Sequence, residues 1–501
     1  MSTSLTTGAP WRVILAFSVP LLIGNIVQQL YQFVDTVVVG RQLGVDALAA
    51  VGATGSLLFL LLGFAWGVTS GFAIPTAQAF GAGDARAVRR SVATGTLLTG
   101  AMSIVLTIGA PLLAEPALAA MQTPPELMAD AVVFAQVSFL GAAATMFFNY
   151  LAAIIRAIGD SRTPLWFLTL ACVLNVALVI LLVGPIGWGV AGAALATVVA
   201  QAISVALCLE YLRRRLHDLH VKREDWRVTR AEVWEHLRLG LPMGFQASII
   251  AIGTLAVQVA LNEQGAVAVA AWTAGARVDS LATALLQSLG LATSMFVAQN
   301  IGAGRPDRIR RGVIQATWIS VAGSIALGVL LVVTGSAIVE IFVGDTAPEV
   351  VEYAHLMLII NASCYVILGV LFVLRGALQG LGHAMIPTLT GVIELVARVV
   401  AAVVLGSLFG FAGVAWSNPL AWAGALLILV PAYVREHRRL GRMPITSTVL
   451  TETTPIPLVG PTNSSLVVDA VVTAPIQLPG SVTPPRGRRA RLRGRRGNRV
   501  R

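Results

Sequence analysis

Apolar runs of about 20 residues or more recur from one end of the chain to the other, and that recurrence leaves few folds open. A helix needs about that length to cross a hydrocarbon core roughly 30 Å thick. Hydrophobic residues fill 56% of the 501 positions and charged residues only 12%, against roughly 25% charged in ordinary soluble domains. The chain reads as an all-α polytopic membrane protein. Breaks at Gly, Pro and charge divide the runs into about twelve expected spans, the first six near 12–40, 48–80, 88–112, 130–157, 165–184 and 190–212. The other six lie near 236–262, 268–298, 310–343, 351–378, 386–408 and 412–435. The polar start MSTSLTTGAPWR leads into an apolar segment longer than a signal-peptide core and without a small-residue cleavage site, so a retained first helix is expected.

The loops alternate in charge. Arg86, Arg89, Arg90, Arg156, Arg162, the run from Arg213 to Arg230, Arg305, Arg308, Arg310, Arg311, Arg375, Arg435, Arg438 and Arg439 fall on one side. The other side carries Asp46, Glu115, Glu126, Asp130, Glu263, Asp345 and Glu349, with Arg41 as its clear basic residue. By the positive-inside rule both termini are expected in the cytoplasm, in a cell membrane. The formal net charge of +11 comes largely from nine arginines between Arg486 and Arg501, so it argues neither for nucleic acid nor for a polyanionic substrate. Cys172, Cys208 and Cys364 lie in apolar segments without C-x-x-C spacing, and the six histidines form no metal or triad pattern. Lys222 is the single lysine and stands in VKRED, so a Walker A phosphate loop is ruled out. Any pumping must draw on something other than ATP hydrolysis by this chain.

The halves repeat. AFGAGDARAVRR (79–90) pairs with QNIGAGRPDRIRR (299–311), LGVDALAAV (43–51) with QGAVAVAAW (264–272), and IRAIGDSRTP (155–164) with LQGLGHAMIP (378–387), at an offset of about 221. The expected organisation is a six-helix bundle over 1–212, a basic linker over 213–235, a second six-helix bundle over 236–436 and a disordered tail over 437–501. Six is even, so both bundles enter the membrane in the same sense and are related by an axis along its normal, with a substrate path between them. No filter motif of charged or carbonyl rings points to a channel.

One helix stands out. IGNIVQQLYQFVDTVVVG (23–40) is apolar, yet Asn25, Gln28, Gln29, Gln32, Asp35 and Thr36 fall within an arc of about 120° at 100° per residue. An Asp near the bilayer centre costs about 2.5 to 3.5 kcal/mol, so the stripe must face protein or water. Asp35 either pairs with a buried Arg or sits in the outer headgroup zone, or it lines a cavity and exchanges a proton or cation as access alternates. Arg277 and Asp279 are candidates for an interfacial pair, and Glu394 and Arg398 for an i, i+4 pair, a possible second-bundle polar site.

The pattern of Pro20, Asn25, Gln28, Tyr31, Asp35 and Gly40, followed by LGVDALAAVG, GFAWGVTSGFAIPTAQAFGAGD and RAIGDSRTP, resembles the multidrug and toxic compound extrusion (MATE) family over roughly residues 12–436. The resemblance implies a V-shaped pair of bundles that export drug-like, often cationic compounds in exchange for protons or sodium, with no cofactor and no enzymatic activity. It implies ion coupling at Asp35, Asn175 and Thr197, and a substrate cavity with Gln28, Tyr31, Gln32 and Trp66, joined by Phe59 and Phe64. Val179 replaces a carboxylate found in some relatives, and Gln246 and Ser248 stand where another branch has a glutamate, which tilts the expectation toward protons. A flippase or exporter for a lipid-linked or dedicated metabolite is the alternative. The expected partners are a small-molecule substrate and membrane lipids, with a monomer as the default state. The arginine-rich end could tether to anionic lipid or have no folded role.

Overall fold

The first helix begins two residues ahead of the expected span, at a proline in its first turn, where the missing N–H costs nothing, and it runs unbroken through the polar stripe as α1 (Pro10–Leu43). The computed structural model describes residues 4–121, 123–216, 219–343 and 348–444. The expected tail over 437–501 starts too early, since residues 437–440 still belong to the last helix; its part from residue 445 onward, with its arginines, and linker residues 217 and 218 lie outside the described residues. The elements that follow are α2 (Val45–Gly81), α3 (Ala85–Ala120), α4 (Pro125–Leu140), α5 (Ala142–Ala157), α6 (Arg162–Val183) and α7 (Gly189–Arg215). A short 3-10 helix (Arg223–Trp226) leads to α8 (Arg230–Glu263), α9 (Ala266–Gly302), α10 (Pro306–Val343), α11 (Pro348–Ser363), α12 (Tyr365–Gly380), α13 (Met385–Ala415) and α14 (Ser417–Leu440). Among the described residues there is no strand.

Ten of these helices are long and apolar enough to cross a membrane, and two bent pairs, α4 with α5 and α11 with α12, supply two more spans. The bends are 47° and 53° and fall at corresponding places in the two halves. The repeated loops also share their backbone. In GAGD and GAGR, Gly83 (φ 71°) and Gly304 (φ 63°) take the left-handed conformation that lets the chain turn from one helix into the next. Asp84 then caps α3 by accepting from the Arg86 and Ala87 N–H groups at 3.0 and 2.9 Å.

The halves meet along a glycine seam. Gly63, Gly67 and Gly71 recur every fourth residue on α2 and pack on Ala247, Met243 with Gly244, and Gly240 of α8. A methyl on Gly71 would stand 2.6 Å from Gly240 Cα, so only small residues permit this approach. Nearer the end that carries the arginine loops, Gly81 lies on the Gln299 carbonyl and Gly302 on the Gln78 carbonyl. Here the contacts are reciprocal. Gln78 Nε2 donates to the Gly380 carbonyl (3.0 Å), and Gln299 Nε2 donates to the Ala157 carbonyl (2.7 Å). Residues 5–8 add a strap: the Leu5 N–H donates to Gln299 Oε1 (2.9 Å), and Arg308 donates to the carbonyls of Gly8, Thr7 and Leu5.

The linker folds onto α3. Arg89 Nε donates to Asp225 Oδ2 (3.0 Å), as does the Lys222 backbone N–H (2.9 Å), and Arg90 pairs with Glu232 at 2.8 Å. Burial works to raise the Asp225 carboxyl, but the Lys222 N–H and the Arg89 guanidinium outweigh it and hold the group below the usual carboxylate range. Thr229 and Glu232 close a capping box at the start of α8.

Candidate functional site

Away from the arginine-bearing end, α2 and α8 part. Gly55 and Phe59 on one side and Ala251, Thr254 and Leu255 on the other line a space of about 160 Å³. The seam below it is closed by glycine contacts. Phe64, deeper along α2, meets Phe245 edge to face at 5.5 Å between centroids. Asp35 is about 25 residues from the start of α1, and Gly55 about 26 from the end of α2, so the two stand at a similar height.

Around the first-helix stripe the sequence expectation meets a hydrogen-bonded cluster. The Tyr31 hydroxyl and Thr197 Oγ1 are 3.2 Å apart, and Asn175 Nδ2 donates to the same Thr197 oxygen at 2.8 Å. Helices α1, α6 and α7 thus bring Tyr31, Asn175 and Thr197 together. Asp35 lies one turn beyond Tyr31. Its Oδ1 is buried with no hydrogen-bond partner among the described residues, and Asn175 Oδ1 is in the same condition. No ion pair among the described residues reaches Asp35, which removes the buried-Arg alternative there. A buried oxygen without a donor is costly unless a proton, cation or water fills the place, and two such oxygens stand near one hydroxyl cluster. Gln28 and Gln32 are exposed on the same helix, and Trp66 is exposed one residue before the Gly67 contact. Asn25 is used differently, donating to Ser288 Oγ of α9 at 3.1 Å and so joining the halves.

The second half corrects two expected pairs. Arg277 is exposed and does not bond Asp279; residues two apart on a helix point about 200° apart and cannot face each other. Asp279 Oδ1 instead accepts from the Tyr365 hydroxyl (2.8 Å) and Asn361 Nδ2 (3.1 Å), so this carboxylate is held by α11 and α12. Glu394 does not pair with Arg398 but with Arg375, whose α12 side chain reaches it across the helix interface. Arg375 is only 7% exposed and is not the loop charge its sequence position suggested. The three partners missed in the sequence come from α11 and α12: Asn361 and Tyr365 lie 82 and 86 residues from Asp279, and Arg375 lies 19 residues from Glu394 on the preceding helix. Their only signal was polarity inside apolar runs.

Comparison with known proteins bears on all of this. The MatE family model matches residues 20–181 and again 242–404. The chain is 30% identical over 392 residues to the probable multidrug resistance protein YoeA of Bacillus subtilis, covering 77% of this chain and 84% of that protein. It is 26% identical over 405 residues to a FAD transporter of Shewanella oneidensis, covering 79% and 88% respectively. Among solved structures, a crystal structure of MATE in complex with MaL6 superposes with a TM-score of 0.82 at 21% identity, covering 88% of this chain and 99% of that one.

Proposed function

The chain belongs to the multidrug and toxic compound extrusion family, whose members are membrane transporters and not enzymes, and on that premise we propose that it exports drug-like compounds by antiport. The observation that carries this reading is the unpartnered Asp35 carboxylate oxygen beside the Tyr31, Thr197 and Asn175 cluster, at about the height of the space between α2 and α8. A substrate leaves on one side of the membrane while a proton or sodium ion binds at Asp35, and Asn175 and Thr197 supply oxygens beside it. Protonation is the simpler fit, because two neutral oxygens and one carboxylate are a sparse set for sodium. Gln28, Tyr31, Gln32 and Trp66 line the path with amide and aromatic surface suited to amphipathic cations. In this reading both termini lie in the cytoplasm and the protein works as a monomer in the cell membrane.

A second reading rests on the Shewanella relative: a dedicated metabolite in place of varied drugs. Ethidium efflux from proteoliposomes, under an imposed proton gradient in one set and a sodium gradient in the other, tests both. Proton-driven efflux that disappears in Asp35→Asn is the expected result. Silence under both gradients would favour the dedicated metabolite, and wild-type efflux from Asp35→Asn would remove the coupling role.

A further inference from the structure

Two guanidiniums and one carboxylate are buried together between α12 and α13: Arg375, Arg398 and Glu394 are 7%, 6% and 4% exposed. Glu394 is taken by Arg375, so the trio carries one positive charge in excess, and that excess sits on Arg398. No hydrogen bond or ion pair among the described residues engages Arg398; its Nε is buried and bare, and so is the Nε of Arg375. Arg398 lies against α8 at a glycine. A methyl on Gly253 would stand 2.9 Å from Arg398 Nη1, so the guanidinium fills the space that a side chain there would take.

The repeat gives this placement a meaning. The two matched segments begin at residues 20 and 242, and by that spacing Tyr31, Asp35 and Asn175 correspond to Gly253, Val257 and Ala397. The interior between α1 and α6 holds an unpartnered acid, and the equivalent interior between α8 and α13 holds an unpartnered base. We propose that the second half binds an oxyanion, a carboxylate or phosphate group, at Arg398. The planar fork of a guanidinium matches two oxygens of such a group, and Nε with one terminal nitrogen forms one edge of that fork. The site lies about thirteen residues into α13, roughly 20 Å along the helix, deeper than a headgroup phosphate sits. The ligand is therefore a free anion or the anionic group of a transported compound.

Thermal unfolding of the purified full-length protein in detergent tests this without any gradient or transport, so its outcome is separate from that of the export assay. Phosphate, acetate and benzoate are titrated against chloride at matched ionic strength. A saturable rise in Tm with an oxyanion, lost in Arg398→Gln, is expected. Arg398→Gln should fold, because it removes the excess charge and leaves the Arg375 and Glu394 pair neutral. Arg398→Lys keeps the charge without the fork and should raise the half-saturating concentration about tenfold, the loss of one charge-assisted hydrogen bond. Response to acetate or phosphate assigns the site to free anions, and response to benzoate alone assigns it to the acidic group of a larger compound. An equal response in wild type and Arg398→Gln, or none in wild type beyond that to chloride, would overturn the proposal.

Discussion

Asp35 in the first half and Asp279 in the second are both carboxylates set into apolar helices, yet their surroundings differ in kind. Asp279 has two donors from neighbouring helices on one oxygen, a tyrosine hydroxyl and an asparagine amide. Asp35 has an oxygen that nothing among the described residues satisfies. A satisfied carboxylate fixes helices in place, whereas an unsatisfied one leaves a position that a mobile ion can enter and leave. Residue type and burial alone would not have separated the two. Their donors do.

That contrast can be broken by mutation. Asp35→Asn should bring efflux from proteoliposomes down to the level of empty vesicles, with expression and chromatographic behaviour unchanged. Glu394→Ala should cost about 3 to 5 kcal/mol of stability, because it leaves two buried guanidiniums without an acid; denaturant titration in detergent reads it, and a stable variant would show the trio to be hydrated. Asp279→Asn should keep efflux within about threefold of wild type, since an amide oxygen still accepts from Tyr365 at a loss of about 1 kcal/mol. Abolished efflux in that variant would place a second exchange point in the second half and end the contrast. Removing residues 445–501 should change neither efflux nor stability measurably, and lost export in a truncated protein that still reaches the membrane would give the tail a part.

The helical architecture was legible because lipid imposes length and apolarity on every span, and a duplicated sequence shows the imposition twice. Each bent span looks like one helix in the sequence, since the apolar runs through Gly141 and Cys364 carry no sign of a change of direction of about 50°. The glycine seam was present in the letters as Gly63, Gly67 and Gly71, but a period of four says that a close neighbour exists without saying which helix it is. The first-half cluster was anticipated in composition, with Asp35, Asn175 and Thr197 all named from resemblance. The role of Tyr31 as the residue joined to Thr197 needed the structure. In the second half the spacing argument failed: proximity along the chain suggested Arg277 for Asp279 and Arg398 for Glu394, and contacts across helices decided otherwise.

The reciprocal glutamines carry a consequence for how such a molecule could arise. Gln78 and Gln299 each bond a backbone carbonyl of the opposite half, at Gly380 and Ala157. A main-chain acceptor is the same whatever side chain accompanies it. Two copies of an ancestral gene could therefore drift apart around these points, one acquiring an acid and the other a base in its interior, while each copy still recognised the other.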